Sequence, residues 1–122
     1  MSKIVTRAEV KEVLIKWQQG DIDAKYVNDW AGNLYPSTEV DYDDWEPDDS
    51  NSITNEVLAA LDMLDMNLLT VEDIPAYVEF LNTPQGDFNK ANAKLQRYLR
   101  SIDISERKKK LAQIKIYAPF CD

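Results

Sequence analysis

The amino-acid sequence predicts an all-α fold: a compact bundle of five to six short helices with one long acidic loop over residues 35–52. Three observations carry that expectation. Apolar residues recur at helical spacing in six separate stretches. Ser, Thr, Asp or Asn stands ahead of most of these stretches, where a helix N-cap belongs. No run alternates apolar and polar residues for long enough to read as a convincing strand. With 122 residues, the chain suits a single helical domain, 1–122. Its twelve aromatic residues, three Trp, six Tyr and three Phe, are more than an unfolded chain usually carries.

Taken in order, Thr6-Arg7-Ala8-Glu9 reads as a capping box. Behind it Val10, Val13, Leu14 and Trp17 share one helical face, and Gly20 stops the helix. Asp21 or Asp23 can cap a second helix bearing Val27, Trp30, Ala31 and Leu34. Gly32-Asn33 weaken it and Pro36 ends it. The short link between the two implies an antiparallel hairpin. Residues 35–52 show no sustained period. A stretch of that length inside a domain is usually functional or disordered.

Asn51 or Ser52 can cap a third helix with Ile53, Val57, Leu61, Leu64 and Leu68 on its stripe. Thr70-Val71-Glu72-Asp73 is a further cap, and Pro75 has to lie in the first turn of a fourth helix. Ile74, Tyr77, Val78 and Leu81 form that helix's buried face. After a turn over residues 82–87, a fifth helix carries Phe88, Ala91, Leu95, Tyr98, Leu99 and Ile102. Asp103 to Glu106 can cap a sixth. The tail from Ile114 to Phe120 docks as an extended segment or a short helical turn. Ile114 to Tyr117 is the one stretch conceded to a strand.

Charge is the strongest functional signal. There are 22 acids against 14 bases, for a net charge of −8. The imbalance is local: residues 1–82 hold 18 acids and 5 bases, while residues 83–122 hold 4 and 9. Such a body repels nucleic-acid phosphates and anionic lipid, and attracts basic partners. Solubility alone is the competing explanation. The basic set near the C-terminus includes Lys90, Lys94, Arg97 and Arg107 to Lys110. It lacks an aromatic stacking platform, so pairing with the acidic half or plain solvation suits it better than nucleic acid.

The chain has no histidine, which removes the commonest general base and every Ser-His or Cys-His nucleophile. Its three glycines, Gly20, Gly32 and Gly86, are isolated, so no phosphate-cradling loop is present. The single cysteine, Cys121, cannot form an internal disulfide. Asp41, Asp43 and Asp44 resemble the start of a calcium-binding loop. The likeness then fails, with Glu46 where glycine is required and Ser52 where the bidentate glutamate belongs. No enzyme activity, cofactor or metal is expected, beyond adventitious Ca²⁺ or Mg²⁺. No apolar run approaches membrane-spanning length and the start of the chain lacks a signal-peptide core, so a cytoplasmic location is expected.

The candidate partner-binding site is the acidic loop. Seven of the eleven residues from Glu39 to Asp49 are acidic, and desolvated unpaired carboxylates are too costly to bury. Asp41, Asp43, Asp44, Glu46, Asp48 and Asp49 are assigned to steering and phosphate mimicry. Tyr42 and Trp45 are assigned as anchors, because aromatic residues dominate interface hot spots. The competing reading is a solvated loop with Trp45 folded back onto the core. Trp17 and Trp30 fall on apolar faces and read as core. A further acidic surface could form from Asp21, Asp23 and Asp29, or from Glu56, Asp62 and Asp65.

The stretch from Val10 to Tyr35, containing EVLIKWQQGDIDAKYVNDWAGNLY, pairs a helix ending in an aromatic with a Gly-Asp turn and a Trp-bearing helix. Together with EVLAALDMLDMNLLTVEDIPAYVEFL (Glu56 to Leu81) and YLRSIDISERKKKLAQ (Tyr98 to Gln113), it resembles small acidic immunity proteins of bacterial polymorphic toxin and contact-dependent growth inhibition systems. The resemblance implies a stoichiometric inhibitor. Such a protein binds a cognate toxin domain, often a nuclease, and occludes its active site. The expected partner is therefore a basic protein, a toxin domain, with no nucleic acid and no membrane. A helical adaptor, a nucleic-acid mimic that inhibits another enzyme, and a carboxylate-based enzyme are the rival readings.

Overall fold

The computed structural model describes residues 3–47 and 51–121. Among these the chain is mostly helical, with α1 (Arg7–Gln18), α2 (Ala24–Leu34), α3 (Ile53–Asp62), α4 (Ile74–Leu81), α5 (Phe88–Arg100) and α6 (Ile104–Leu111). Two strands, β1 (Lys3–Val5) and β2 (Val40–Tyr42), complete it, with 3₁₀ turns at Val71–Asp73 and Ala118–Phe120. None of the helices is long and apolar enough to cross a membrane.

Most helix starts follow from the cap chemistry. Thr6 accepts from the Glu9 amide, Asp23 from Tyr26, Ser52 from Asn55 and Asp103 from Glu106. Each satisfies one of the amides that a helix start leaves without an intrahelical partner. Thr70 and Asp73 form a reciprocal capping box ahead of α4, and Pro75 lies in that helix's first turn. Gly20, at φ +84°, takes the turn out of α1.

The core forms around α3. Ile53, Thr54, Val57, Leu58 and Leu61 are all buried, a stripe wide enough to be covered from several sides. Helices α1, α2 and α4 all pack against α3, and α5 packs on α4. Val10 and Leu14 of α1, Val27 and Ala31 of α2, and Ile74 and Leu81 of α4 fill the centre. Trp17 is buried and Trp30 packs half-buried against this core.

Three local expectations are corrected. First, residues 35–52 are not devoid of regular structure. Strand β2 lies within them and pairs in parallel with β1, in the register Lys3↔Val40, Ile4↔Asp41 and Val5↔Tyr42. Second, Ile114 to Tyr117 is no strand; it folds as turns that lead into the final 3₁₀ segment. Third, α3 ends at Asp62, so Leu68 is not on its stripe. Leu68 instead turns the chain at φ +57° and is buried.

That turn is held by a buried ion pair. Asp73 accepts from Arg107 Nη1 at 2.7 Å and Nη2 at 3.1 Å, from Tyr98 Oη at 2.6 Å and from the Thr70 amide at 3.0 Å. Arg107 Nη1 also donates to the Leu68 carbonyl at 3.1 Å. The pairing of the basic C-terminal third with the acidic body is thus realised in the interior where α6 meets the start of α4, and at the surface between Lys94 and Glu79.

Candidate partner-binding surface

The acidic run is sorted by the backbone that carries it. Strand side chains alternate between faces, so on β2 Tyr42 points inward and is buried while Asp41 is exposed; Glu39 and Asp43, just outside the strand's two ends, are exposed as well. Ile4, the register partner of Asp41, is 52% exposed on the same outer side. Lys3 is the nearest base in this small sheet, and it turns away to Glu9 at 3.0 Å. Glu39, Asp41 and Asp43 have no salt bridge with any described residue.

Asp41 is exposed but oriented. Its Oδ1 accepts from Trp45 Nε1 at 3.0 Å and from the Tyr42 amide at 2.8 Å. The Trp45 bond, followed by the Tyr42 bond, holds the carboxyl below the usual aspartate range. The rings of Tyr42 and Trp45 meet edge to face with centroids 6.0 Å apart. Tyr42 is 8% exposed and Trp45 packs partly buried on the core. The anchor role therefore fails for Tyr42, whose ring is taken up inside, and narrows for Trp45 to its uncovered edge.

Asp44 points the other way. Its Oδ2 accepts from Arg7 Nε at 2.8 Å, from the Thr54 amide at 3.0 Å and from Thr54 Oγ1 at 2.9 Å; Ser52 Oγ donates to Oδ1. Burial alone would raise this carboxyl's pKa. The bonds from Ser52, Arg7 and Thr54 outweigh it and leave the pKa lowered. Arg7 also donates to the carbonyls of Leu81 and Thr83. One guanidinium thus ties the start of α1 to the start of α3 and the end of α4.

Glu46 is 8% exposed and accepts from the Gly86 amide at 2.6 Å and the Phe88 amide at 3.2 Å. Asp87, which stands in the N-cap position of α5, makes no side-chain cap bond. The cap of α5 is instead a carboxylate about forty residues earlier in the chain, placed at the positive end of the helix. Assigning Asp44 and Glu46 to solvent-facing steering is corrected: both are consumed by helix starts within the protein. Asp48 and Asp49 lie outside the described residues. Beyond them the chain closes back on itself, with the Glu46 amide donating to the Asn51 carbonyl at 2.7 Å.

The geometry brings together Glu39, Asp41, Asp43, the edge of Trp45 and Ile4, with Tyr35 at 38% exposure just ahead of β2. Ile4 gave no signal in the sequence, because Ile4 and Val5 form too short an apolar stretch to show a period. The other proposed acidic surfaces are partly spoken for. Asp29 pairs with Lys25, Asp23 caps α2, and Asn28 donates to the carbonyls of Leu61 and Asp62 where α2 crosses the end of α3.

Comparison with known protein families, with curated proteins and with solved structures finds no match. The surface is therefore read from its own chemistry. Among the described residues no group of three or more Asp, Glu, Cys or His side chains converges as a metal site would require. What remains is a set of three exposed carboxylates, one on β2 and one beside each of its ends, edged by apolar side chains.

Proposed function

We propose that this protein is an immunity protein: a stoichiometric inhibitor that binds a cognate toxin domain, a nuclease, and occludes its basic active-site cleft. The observation that supports this reading is the exposed set Glu39, Asp41 and Asp43, which has no salt bridge with any described residue and is flanked by Ile4 and the edge of Trp45. A cleft built to hold successive phosphates presents cations that such carboxylates can meet. The pinning of Asp44 and Glu46 by the protein's own amides fixes the strand in place. That rigidity lowers the entropy cost of binding.

The test is to look for a toxin domain in the neighbouring reading frame, and to use it for co-expression and kinetics with this protein. Co-expression is expected to restore growth, and a 1:1 complex should form. The Glu39→Ser/Asp43→Ser double variant should slow association by on the order of tenfold at low salt and flatten its salt dependence. A toxin that remains active with a molar excess of the protein refutes the immunity reading. Association kinetics unchanged in the double variant remove this strand from the interface.

A further inference from the structure

A second surface lies between α3 and α5. Helix α4 packs against both, yet α3 and α5 scarcely meet each other. The gap is a groove of about 480 Å³. Its floor is Tyr77 and Phe80 of α4 with Leu95 of α5. Ala59 and Ala60 form one wall and Leu99 the other, so small side chains keep the α3 side shallow. Met63 and Ile104, each 42% exposed, stand at the mouth. Apolar side chains exposed singly are ordinary, but here they gather along one concavity.

The polar lining is specific in sign. Among the described residues Glu56 is the only charged one that lines the groove, and it has no salt bridge with any of the others. The other polar groups are the amides of Asn67, Asn92 and Gln96, and no cation takes part. Three helices arranged with one beneath two leave the place that a fourth occupies in a four-helix bundle. On the α3 side the lining runs from Glu56 to Met63, roughly 10 Å along the helix axis, enough for about two turns of a docked helix.

We infer that this groove is a docking site for an amphipathic helix of a protein partner, carrying apolar residues at i, i+3 or i+4, and i+7, and a lysine or arginine on the flank that meets Glu56. The apolar face lies over Tyr77, Phe80 and Leu95, the flexible Met63 and Ile104 cover it at the mouth, and the cation closes on Glu56. This inference does not rest on the immunity reading. It uses a different face of the protein, and a groove-binding helix can belong to any partner.

The test is selection from a display library of 12-residue helix-constrained peptides with all positions varied, using the whole folded chain as bait. Enriched sequences should repeat apolar residues at helical spacing with Lys or Arg on one flank. Ala59→Arg and Gln96→Arg, one on each wall, should each weaken the best peptide on the order of tenfold or more. Glu56→Lys should weaken it about threefold, as expected for a surface ion pair, and favour the same peptide with Glu at the flank. Glu39→Ser/Asp43→Ser should leave peptide affinity unchanged, which separates this site from the strand surface. The inference is overturned if no peptide is enriched over background, if enriched peptides are extended or carry acids at the flank, or if both wall variants bind normally with a native circular dichroism spectrum. A concentration-dependent dimer that Ala59→Arg abolishes would also overturn it, since a second copy would then fill the groove.

Discussion

Glu39 to Asp43 and Asp44 to Glu46 are two halves of one acidic run, and the fold uses them in opposite ways. In the first half all three acids are exposed: Asp41 faces outward on β2, between the partly buried Val40 and the buried Tyr42, and Glu39 and Asp43 flank the strand's two ends. In the second half Asp44 reaches Arg7 and the first turn of α3, and Glu46 reaches the amides at the start of α5. The difference shows that acid density alone does not measure how much charge is offered to a partner. Helix N-termini compete for carboxylates, and here they take two of the five acids from Glu39 to Glu46.

The contrast is broken most severely at Asp44. Replacing it with Ala leaves Arg7 partly buried without its carboxylate and removes acceptors from Thr54 and Ser52. We expect about 2–4 kcal/mol lost from the unfolding free energy, read from urea denaturation. Asp44→Asn keeps the shape and should lose less. If Asp44→Ala unfolds at the wild-type midpoint, the inward half is not structural. Next in size is Glu46→Ala, which strips α5 of its cap and should cost about 1–2 kcal/mol. Hydrogen exchange of the Gly86 and Phe88 amides should accelerate more than that of amides in α3. Equal acceleration everywhere would count against a local cap.

Acid separates the halves in another way. The Asp44 carboxyl has a lower pKa in the folded protein than its unfolded value, near 3.9. The unfolded chain therefore binds this proton more readily. The stability it contributes is fully present above about pH 5 and is lost as pH falls through the folded pKa. Urea midpoints measured from pH 7 down to pH 3 should fall, and the fall should be shallower in Asp44→Asn. An identical acid limb in that variant would show that other carboxylates dominate the acid response.

Legibility in the sequence followed the range of the interaction. Thr6 and Asp103 are readable as caps, and Asp23 and Ser52 each as one of two candidates, because an N-cap and the amide it serves are three residues apart. Pro75 was readable because a missing N–H restricts proline to the first turn. The strands were not readable: three residues each are too few for a period, and their pairing joins positions 37 residues apart in the chain. The same holds for the site. The run from Glu39 to Asp49 was visible as charge, but Arg7 lies 37 residues from Asp44, and Phe88 lies 42 from Glu46. Nothing local distinguishes Asp43, which is exposed, from Asp44, which is not. Leu68 illustrates the same limit, since a leucine at positive φ is disfavoured locally and is held there by Arg107.

The smallest effect on stability should come from the outward half, and it tests the comparison most sharply. Glu39 and Asp43 have no hydrogen-bonded base among the described residues, and replacing both with Ser should leave the urea midpoint unchanged within error. The cap and ion-pair networks of Asp44 and Glu46 would be untouched, so any loss of partner binding in this variant could not be blamed on a loosened fold. Asp41 is left in place because it also orients Trp45 through Oδ1. Slower association at an unchanged midpoint would assign the outward carboxylates to encounter alone. A lowered midpoint would mean that the strand needs its acids to stay in register, and the division between the two halves would not hold.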